Sequence, residues 1–258
     1  MKTIDHTQLN KLIKKGYQTK KPLYVWGTMG IGKSQVAQET TQEIAEDQNE
    51  ERKFINWNEI NSEKKHQVAE NPEQYFIYMD IRATQFDPSD LKGLPDLNGH
   101  DSVEWKPPFW LYVASRPKAK AIIFCDELNL APPSVFKAFY QLIYDRALGE
   151  YSLSDGVFVM SAGNRKKDKA NVNPLPAPLK NKFTHCELEI PTTQNWIEWA
   201  VENDIDRRII SFLQFKKSLL YKFEPDSTEK AYPTPRTWEY ASDLIKGENE
   251  LSNVKLYT

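Results

Sequence analysis

Residues 27–34 read GTMGIGKS and follow directly on the apolar run Leu23-Tyr24-Val25-Trp26. Gly27, four free positions and then Gly32-Lys33-Ser34 meet every fixed position of the pattern G-x-x-x-x-G-K-[ST], which requires a strand, a glycine-rich turn and a helix in succession. Gly27, Gly30 and Gly32 allow a backbone path that turns consecutive N–H groups onto an anion. Lys33 adds a point charge suited to β- and γ-phosphates, and the Ser34 hydroxyl is a ligand type that Mg²⁺ accepts. Thr28, Met29 and Ile31 fill the free positions and Gln35 follows, so Gly27–Gln35 is expected to be one phosphate-holding loop. The bland alternative is a glycine turn followed by a solvated lysine.

The rest of the chain supplies the sheet such a loop needs. Short apolar runs occur at PLYVW (22–26), YFIYMDI (75–81), AIIFC (121–125) and VFVMSA (157–162), and HCELEI (185–190) alternates. Runs of this length separated by helical patterns predict an α/β fold, with a parallel five-stranded sheet flanked by helices. Helices are expected over 5–16, 33–50 and 132–147. Past Pro191 the strand signals stop, and 193–204, 206–222 and 233–245 read as amphipathic helices. The last has Thr234 placed as N-cap and Pro235 at the first helical position. The chain therefore divides into an α/β core over 1–191 and a small helical lid over 192–258. The stretch 87–109 fits neither pattern and is long for a connection, as insertions that are functional or mobile usually are.

One strand ends in acid: Ala121–Cys125 runs straight into Asp126-Glu127. Two carboxylates at the end of a buried strand are costly unless a cation or water shares the site. In open α/β sheets ligands bind at the carboxyl ends of strands, where these residues would lie. Asp126 is thus the expected Mg²⁺ partner and Glu127 the base that orients and deprotonates an attacking water. Taken alone, a strand ending in DE is more often simply solvated.

Composition excludes several classes. Lys+Arg 34 against Asp+Glu 36 leaves a net charge of −2, so no overall field draws the chain to nucleic acid or to an anionic membrane. Two cysteines cannot build a disulfide framework, and Cys125 and Cys186 both sit in apolar patterns, as expected of buried thiols in a reducing compartment. No stretch approaches a membrane span and the N-terminus lacks an apolar signal region, so a cytoplasmic protein is expected.

Further motifs carry a family resemblance. FCDELNLAPPSVFKAFYQLIYDRALGEYSL, MSAGNRKKDKANVNPLPAPLKNKFTHCELE and YPTPRTWEYASDL resemble the MoxR-like branch of the AAA+ ATPases, over about residues 8–245. The resemblance implies ATP and Mg²⁺ as ligands, hydrolysis of ATP, and assembly of a homo-oligomeric, hexameric ring. It also implies a protein client, in relatives often a von Willebrand A-type domain protein. It gives Asn164 the sensor-1 position that places the attacking water, and Arg236 the sensor-2 position. A cation in the first turn of a helix opposes the macrodipole, so Arg236 independently asks for an anion nearby. LGEYSLSDGV (148–157) resembles the hairpin this branch inserts before the sensor strand. The 87–109 insertion resembles its second hairpin, which faces the pore or a partner, although its WKPPFW content also suits local packing.

The sequence departs from the family at two places. Where the branch carries an arginine that reaches a neighbour's γ-phosphate, this chain reads Leu179-Lys180-Asn181-Lys182-Phe183. Lys182 supplies the charge without the planar fork. Slow turnover, or a trans cation from Arg165 or Arg146, are the implied consequences. Relatives also continue for about another helix beyond TPRTWEYASDLI, so the lid is expected to be short or the chain truncated. Competing readings are a nucleic-acid-linked motor of restriction or phage-DNA type on the same core, and a slow nucleotide-dependent switch.

Overall fold

The backbone of the fold is a parallel sheet whose strand order departs from chain order, seen in a computed structural model that describes residues 1–47, 52–96, 104–168, 172–224 and 231–246. Its strands are β1 (Lys2–Ile4), β2 (Leu23–Trp26), β3 (Lys53–Asn56), β4 (Tyr75–Arg82), β7 (Lys120–Asp126), β10 (Gly156–Gly163) and β11 (Thr184–Leu188). Side by side they run β1-β11-β2-β10-β7-β4-β3, every pair parallel. Two antiparallel pairs stand outside the sheet, β5 (Leu94–Asp96) with β6 (Glu104–Lys106) and β8 (Ala147–Leu148) with β9 (Tyr151–Ser152).

The expected parallel α/β sheet is present, but the expected count of five strands is too low. The described residues form a seven-stranded sheet, the additions being the edge strands β1 and β3. An edge strand has one ladder partner and a half-exposed surface, so KTI and KFIN carry no apolar run by which to be recognised.

The helices are α1 (His6–Thr19), α2 (Lys33–Asp47), α3 (Ser62–Glu70), α4 (Pro88–Lys92), α5 (Phe109–Ala114), α6 (Phe136–Tyr144), α7 (Ala177–Lys182), α8 (Thr193–Glu202), α9 (Arg207–Phe215) and α10 (Pro235–Ile245). α1 and α2 cover one face of the sheet, where Leu9, Ile13 and Tyr17 of α1 and Val36, Ala37 and Ile44 of α2 pack on Val25, Tyr78, Ile122, Phe124 and Met160. The opposite face buries α5, α6 and α7 against Ile77, Met79, Ile123 and Val159. Trp196, Ile197, Ile209, Leu213, Trp238 and Ile245 form a separate cluster shared by α8, α9 and α10.

Boundaries shift from expectation where local chemistry overrides periodicity. The helix expected over 132–147 is α6, because Pro132 and Pro133 hold the chain in a turn closed by Val135 N to Pro132 O (3.0 Å). The helix expected over 206–222 stops at Phe215, and a 3₁₀ turn follows at Lys217–Leu219. The helix expected over 33–50 is described to Asp47, its remaining residues lying outside the described set. Thr234 is the N-cap of α10, accepting from Thr237 N at 3.1 Å with Pro235 next.

The 87–109 insertion contains α4 and the β5–β6 pair, braced by an Asp96–Lys106 ion pair of 2.7 Å, while 97–103 lie outside the described residues. The hairpin expected over 148–157 begins one residue earlier, at Ala147. Tyr151 Oη donates to Trp105 O (3.0 Å), so the two hairpins touch.

Candidate nucleotide site

Register brings the sequence-predicted residues together. Gly163 pairs with Trp26, Ser161 with Cys125 and Arg82 with Asp126, so the carboxyl ends of β2, β10, β7 and β4 lie side by side. Gly27 leaves the first of these ends, Asn164 the second and Asp126-Glu127 the third. Gly27 N donates to Gly163 O at 3.2 Å, tying the loop to the neighbouring strand end.

Loop Gly27–Gln35 turns from β2 into α2. Gly30 (φ +71°) and Gly32 (φ +88°) hold left-handed conformations, which glycine adopts without steric cost. The Lys33 ammonium curls back to donate to Gly27 O (2.9 Å) and Thr28 O (2.8 Å), and lies 3.4 Å from Asn164 Oδ1. Burial pushes its pKa down to about 8, against the pull of Asp126 and with the charge of Arg236 adding to the depression. A desolvated cation cradled by carbonyl dipoles is an electrostatic arrangement that an incoming anion relieves. Ser34 is partly buried at the start of α2, and its carbonyl accepts from Tyr78 Oη (3.2 Å). Gln35 donates to Glu39 Oε1 (2.9 Å) within the same helix.

At the acidic strand end Asp126 Oδ1 accepts from Glu127 N at 2.9 Å, and Glu127 takes a left-handed φ of 53°. A non-glycine residue in that region costs of order 1 kcal/mol or more, a strain that the packing around the strand end must offset. Asp80, on the neighbouring strand β4, belongs to the same electrostatic unit. Burial, reinforced by the charge of Asp126, pushes its carboxyl up to about 6, and its Oδ1 is buried without a hydrogen-bond partner. No sequence motif marked Asp80, although YFIYMD runs into acid much as AIIFCDE does.

Asn129 is the second residue missed. It is 1% exposed and clamps the backbone of Asn164 from both sides: Nδ2 donates to Asn164 O (2.8 Å) and Oδ1 accepts from Asn164 N (3.1 Å). Its own carbonyl accepts from Asn173 N (2.7 Å). Gly163 must be glycine here, since a Cβ would lie 2.0 Å from Tyr24 Oη and 2.4 Å from Asn129 Oδ1. The signal was present in the sequence, an asparagine two residues after Glu127 in CDELN.

Residues beyond Pro191 close over the loop. Thr28, fully buried, shares a 2.6 Å hydrogen bond with Tyr221 Oη, and Tyr232 Oη donates to Met29 Sδ (3.9 Å). Arg236 N donates to Gly30 O (3.3 Å), and a Cβ on Gly30 would meet Thr234 Oγ1 at 2.7 Å. Arg236 is exposed at the start of α10, on the rim of a cavity of about 570 Å³ between the loop, the start of α1 and helices α8 and α10. His6, Ile31, Ser34, Glu39, Trp196 and Trp199 also line it. The Trp199 indole donates to Glu39 Oε1 (2.9 Å), whereas the buried Trp196 Nε1–H has no acceptor among the described residues.

Lys182 is not brought to this site. It lies at the end of α7 with its ammonium 4.2 Å from the Tyr144 ring centroid. The two other cations considered for an intermolecular role are internally engaged. Arg165 pairs with Asp168 (2.8 Å) and Glu187 (3.1 Å), and Arg146 donates to Ser154 O (2.8 Å).

No helix among the described residues is long and apolar enough to cross a membrane, and these residues contain no group of three or more His, Cys, Asp and Glu side chains able to hold a metal ion. Both cysteines are free and buried.

No family model matches the sequence, and no curated protein matches it. Among solved structures it is similar to NtrX from Brucella abortus, at 12% identity and a TM-score of 0.49 over 94% of this chain and 50% of that one. NtrX in complex with ATP gives 15% identity and a TM-score of 0.47, over 94% of this chain and 50% of that one. The K64R mutant of RuvB from Thermotoga maritima gives 12% and 0.41, over 93% of this chain and 60% of that one. The chain spans about half the length of NtrX. Likenesses this distant carry no functional conclusion, and the fold stands on the sheet order itself.

Proposed function

We propose that this chain binds ATP and hydrolyses it with Mg²⁺, as a MoxR-like AAA+ protein that assembles into a hexameric ring and remodels or matures a protein partner. The observation that supports it best is the convergence, at the carboxyl ends of the inner strands β2, β10 and β7, of a glycine loop, a desolvated lysine, a paired acidic strand end and a clamped asparagine. In this reading Gly27–Gln35 holds the phosphates, with Lys33 at the β- and γ-positions. Glu127 orients and deprotonates the attacking water, Asn164 fixes that water from the other side, and Arg236 faces the γ-phosphate from the lid. The Ser34 hydroxyl and the Asp126 carboxylate are the hard oxygen donors that Mg²⁺ takes alongside substrate phosphates. When bound, Mg²⁺ supplies neutralisation of the charge developing on the phosphate oxygens.

The cavity of about 570 Å³ beside the loop is of a size to take base and ribose, and Trp196 and Trp199 contribute aromatic surface to its wall. The chain divides near Pro191 into core and lid, and the contacts of Tyr221, Tyr232, Thr234 and Arg236 with Thr28–Gly30 allow the lid to respond to loop occupancy. With Arg146 and Arg165 committed internally, Lys182 is the cation presented to a neighbouring copy's site. A von Willebrand A-type client rests on the family resemblance.

The deciding measurement is ATP turnover per subunit across a range of protein concentrations, for wild type and Lys182→Arg. Specific activity that climbs with concentration supports a site completed by a neighbour, and a further gain in Lys182→Arg places that contribution at residue 182. Turnover that stays near zero at all concentrations in both, with nucleotide still bound, refutes the motor in favour of a nucleotide-dependent switch.

A further inference from the structure

β11 lies beside β2, and there His185 joins two parts of the molecule that the nucleotide chemistry treats separately. Trp26 Nε1 donates to His185 Nδ1 at 3.0 Å, and His185 Nε2 sits 2.7 Å from Lys180 O. An indole nitrogen can only donate and a carbonyl can only accept. Both bonds exist together in one form of the ring, the neutral imidazole with its hydrogen on Nε2.

Each end of this bridge has a specific place. Trp26 is the last residue of β2 and directly precedes Gly27 of the phosphate loop. Lys180 O belongs to the last turn of α7, where carbonyls lose their intrahelical partners. The backbone group four residues on, Thr184 N, donates instead to Pro22 O (2.8 Å). His185 therefore caps the end of α7 at the Lys180 carbonyl, two residues before Lys182. Aromatic packing stiffens the bridge: Tyr24 lies 4.5 Å from Trp26, 5.2 Å from Phe183 and 5.7 Å from His185, centroid to centroid.

We infer that His185 is a positioning residue that couples the strand launching the phosphate loop to the helix end presenting Lys182, and so sets where Lys182 reaches into a neighbouring copy. This rests on the proposed reading of Lys182. The bridge makes the reach of one subunit's cation depend on the geometry of its own phosphate loop, through a side chain that belongs to neither the loop nor α7.

A double-mutant cycle on ATP turnover tests it. His185→Phe keeps a ring and loses both hydrogen bonds. His185→Gln keeps one acceptor and one donor at similar spacing. Turnover should fall about tenfold in His185→Phe with nucleotide affinity unchanged, and return to within about twofold of wild type in His185→Gln. Lys182→Ala/His185→Phe should be no slower than Lys182→Ala alone, because the two residues act as one unit. Fold-losses that multiply in the double variant overturn the inference, since general damage to the fold would produce them.

Two readouts stand apart from turnover. Imidazole ¹⁵N spectra of the full chain should show His185 with its hydrogen on Nε2, and the Nδ1–H tautomer or an imidazolium overturns the bridge. Amide exchange at residues 181–183 should speed up in His185→Phe and recover in His185→Gln, while α9 is unchanged. Unchanged exchange at 181–183 overturns it. If wild type shows no turnover, the proposed function fails, and these two readouts still decide whether His185 holds α7. Should His185→Phe not fold, the tautomer and the behaviour of His185→Gln decide.

Discussion

Replacing Asn129 by alanine removes the clamp on Asn164 while leaving every residue assigned to phosphate or water in place. The substitution deletes the 2.8 Å and 3.1 Å bonds and leaves the Asn164 carbonyl and N–H without those partners, in a residue only 3% exposed. Leaving a buried donor or acceptor unsatisfied costs about 1–3 kcal/mol for each of the two groups, the lower half of that range applying where water enters the space left by the side chain. The net expectation is a destabilisation of about 2–4 kcal/mol. For a chain of this size that corresponds to a fall in Tm of about 5–12 °C.

The kinetic consequence comes from position. Asn164 Oδ1 lies 3.4 Å from Lys33 Nζ, and a displacement of about 1 Å in a positioning group costs about a hundredfold in rate. Chemical denaturation followed by far-UV dichroism, together with steady-state turnover and nucleotide affinity on the same preparations, separates the two effects. Loss of turnover with affinity retained is expected. Asn129→Asp should be worse still, since it keeps the acceptor but buries a charge in place of the donor. A destabilisation below about 1 kcal/mol, with turnover within about threefold of wild type, would refute the clamp.

Other expectations follow from the same site. The Lys33 pKa is depressed to about 8 from an ordinary 10.5, so between those values the unfolded chain carries more protons than the folded one. Stability should therefore rise as pH climbs from about 8 to 10.5; Lys20, which burial also pushes down to about 8, adds a slope of the same sign, so the slope should diminish in Lys33→Met and not vanish. Anionic phosphate beside Lys33 restores its charge, so nucleotide binding near pH 8.5 should take up a proton, visible as a buffer-dependent enthalpy in titration calorimetry. Gly30→Ala, at φ +71° and against Thr234 Oγ1, should cost about 1–2 kcal/mol and release the contacts of residues 232–236, read as faster amide exchange at the start of α10. Trp196→Phe, which removes ring surface from the cavity wall, should weaken ATP about threefold by fluorescence or calorimetric titration while leaving tripolyphosphate binding unchanged; equal losses for both ligands would place Trp196 outside the base cavity.

What the sequence determined by itself is what short-range chemistry encodes. The glycine loop, the acidic end of β7, the Thr234 cap and the five apolar strands were legible, because each is a property of consecutive residues: backbone freedom, a burial run, or a side chain bonding its own helix. The edge strands β1 and β3 were not, since one-sided pairing leaves no apolar pattern.

Tertiary structure alone decided the remainder. Arg146, Arg165 and Lys182 look alike as basic residues, and only the fold commits the first to a carbonyl and the second to two carboxylates, leaving the third over a tyrosine ring. Asn129 becomes a clamp because β10 happens to end beside it, and His185 becomes a bridge because β11 is laid next to β2. Hydrogen bonds and charge pairs fall off within a few ångströms. A residue's partner is therefore fixed by which chain segments the sheet order places in contact, and no local stretch of sequence contains that information.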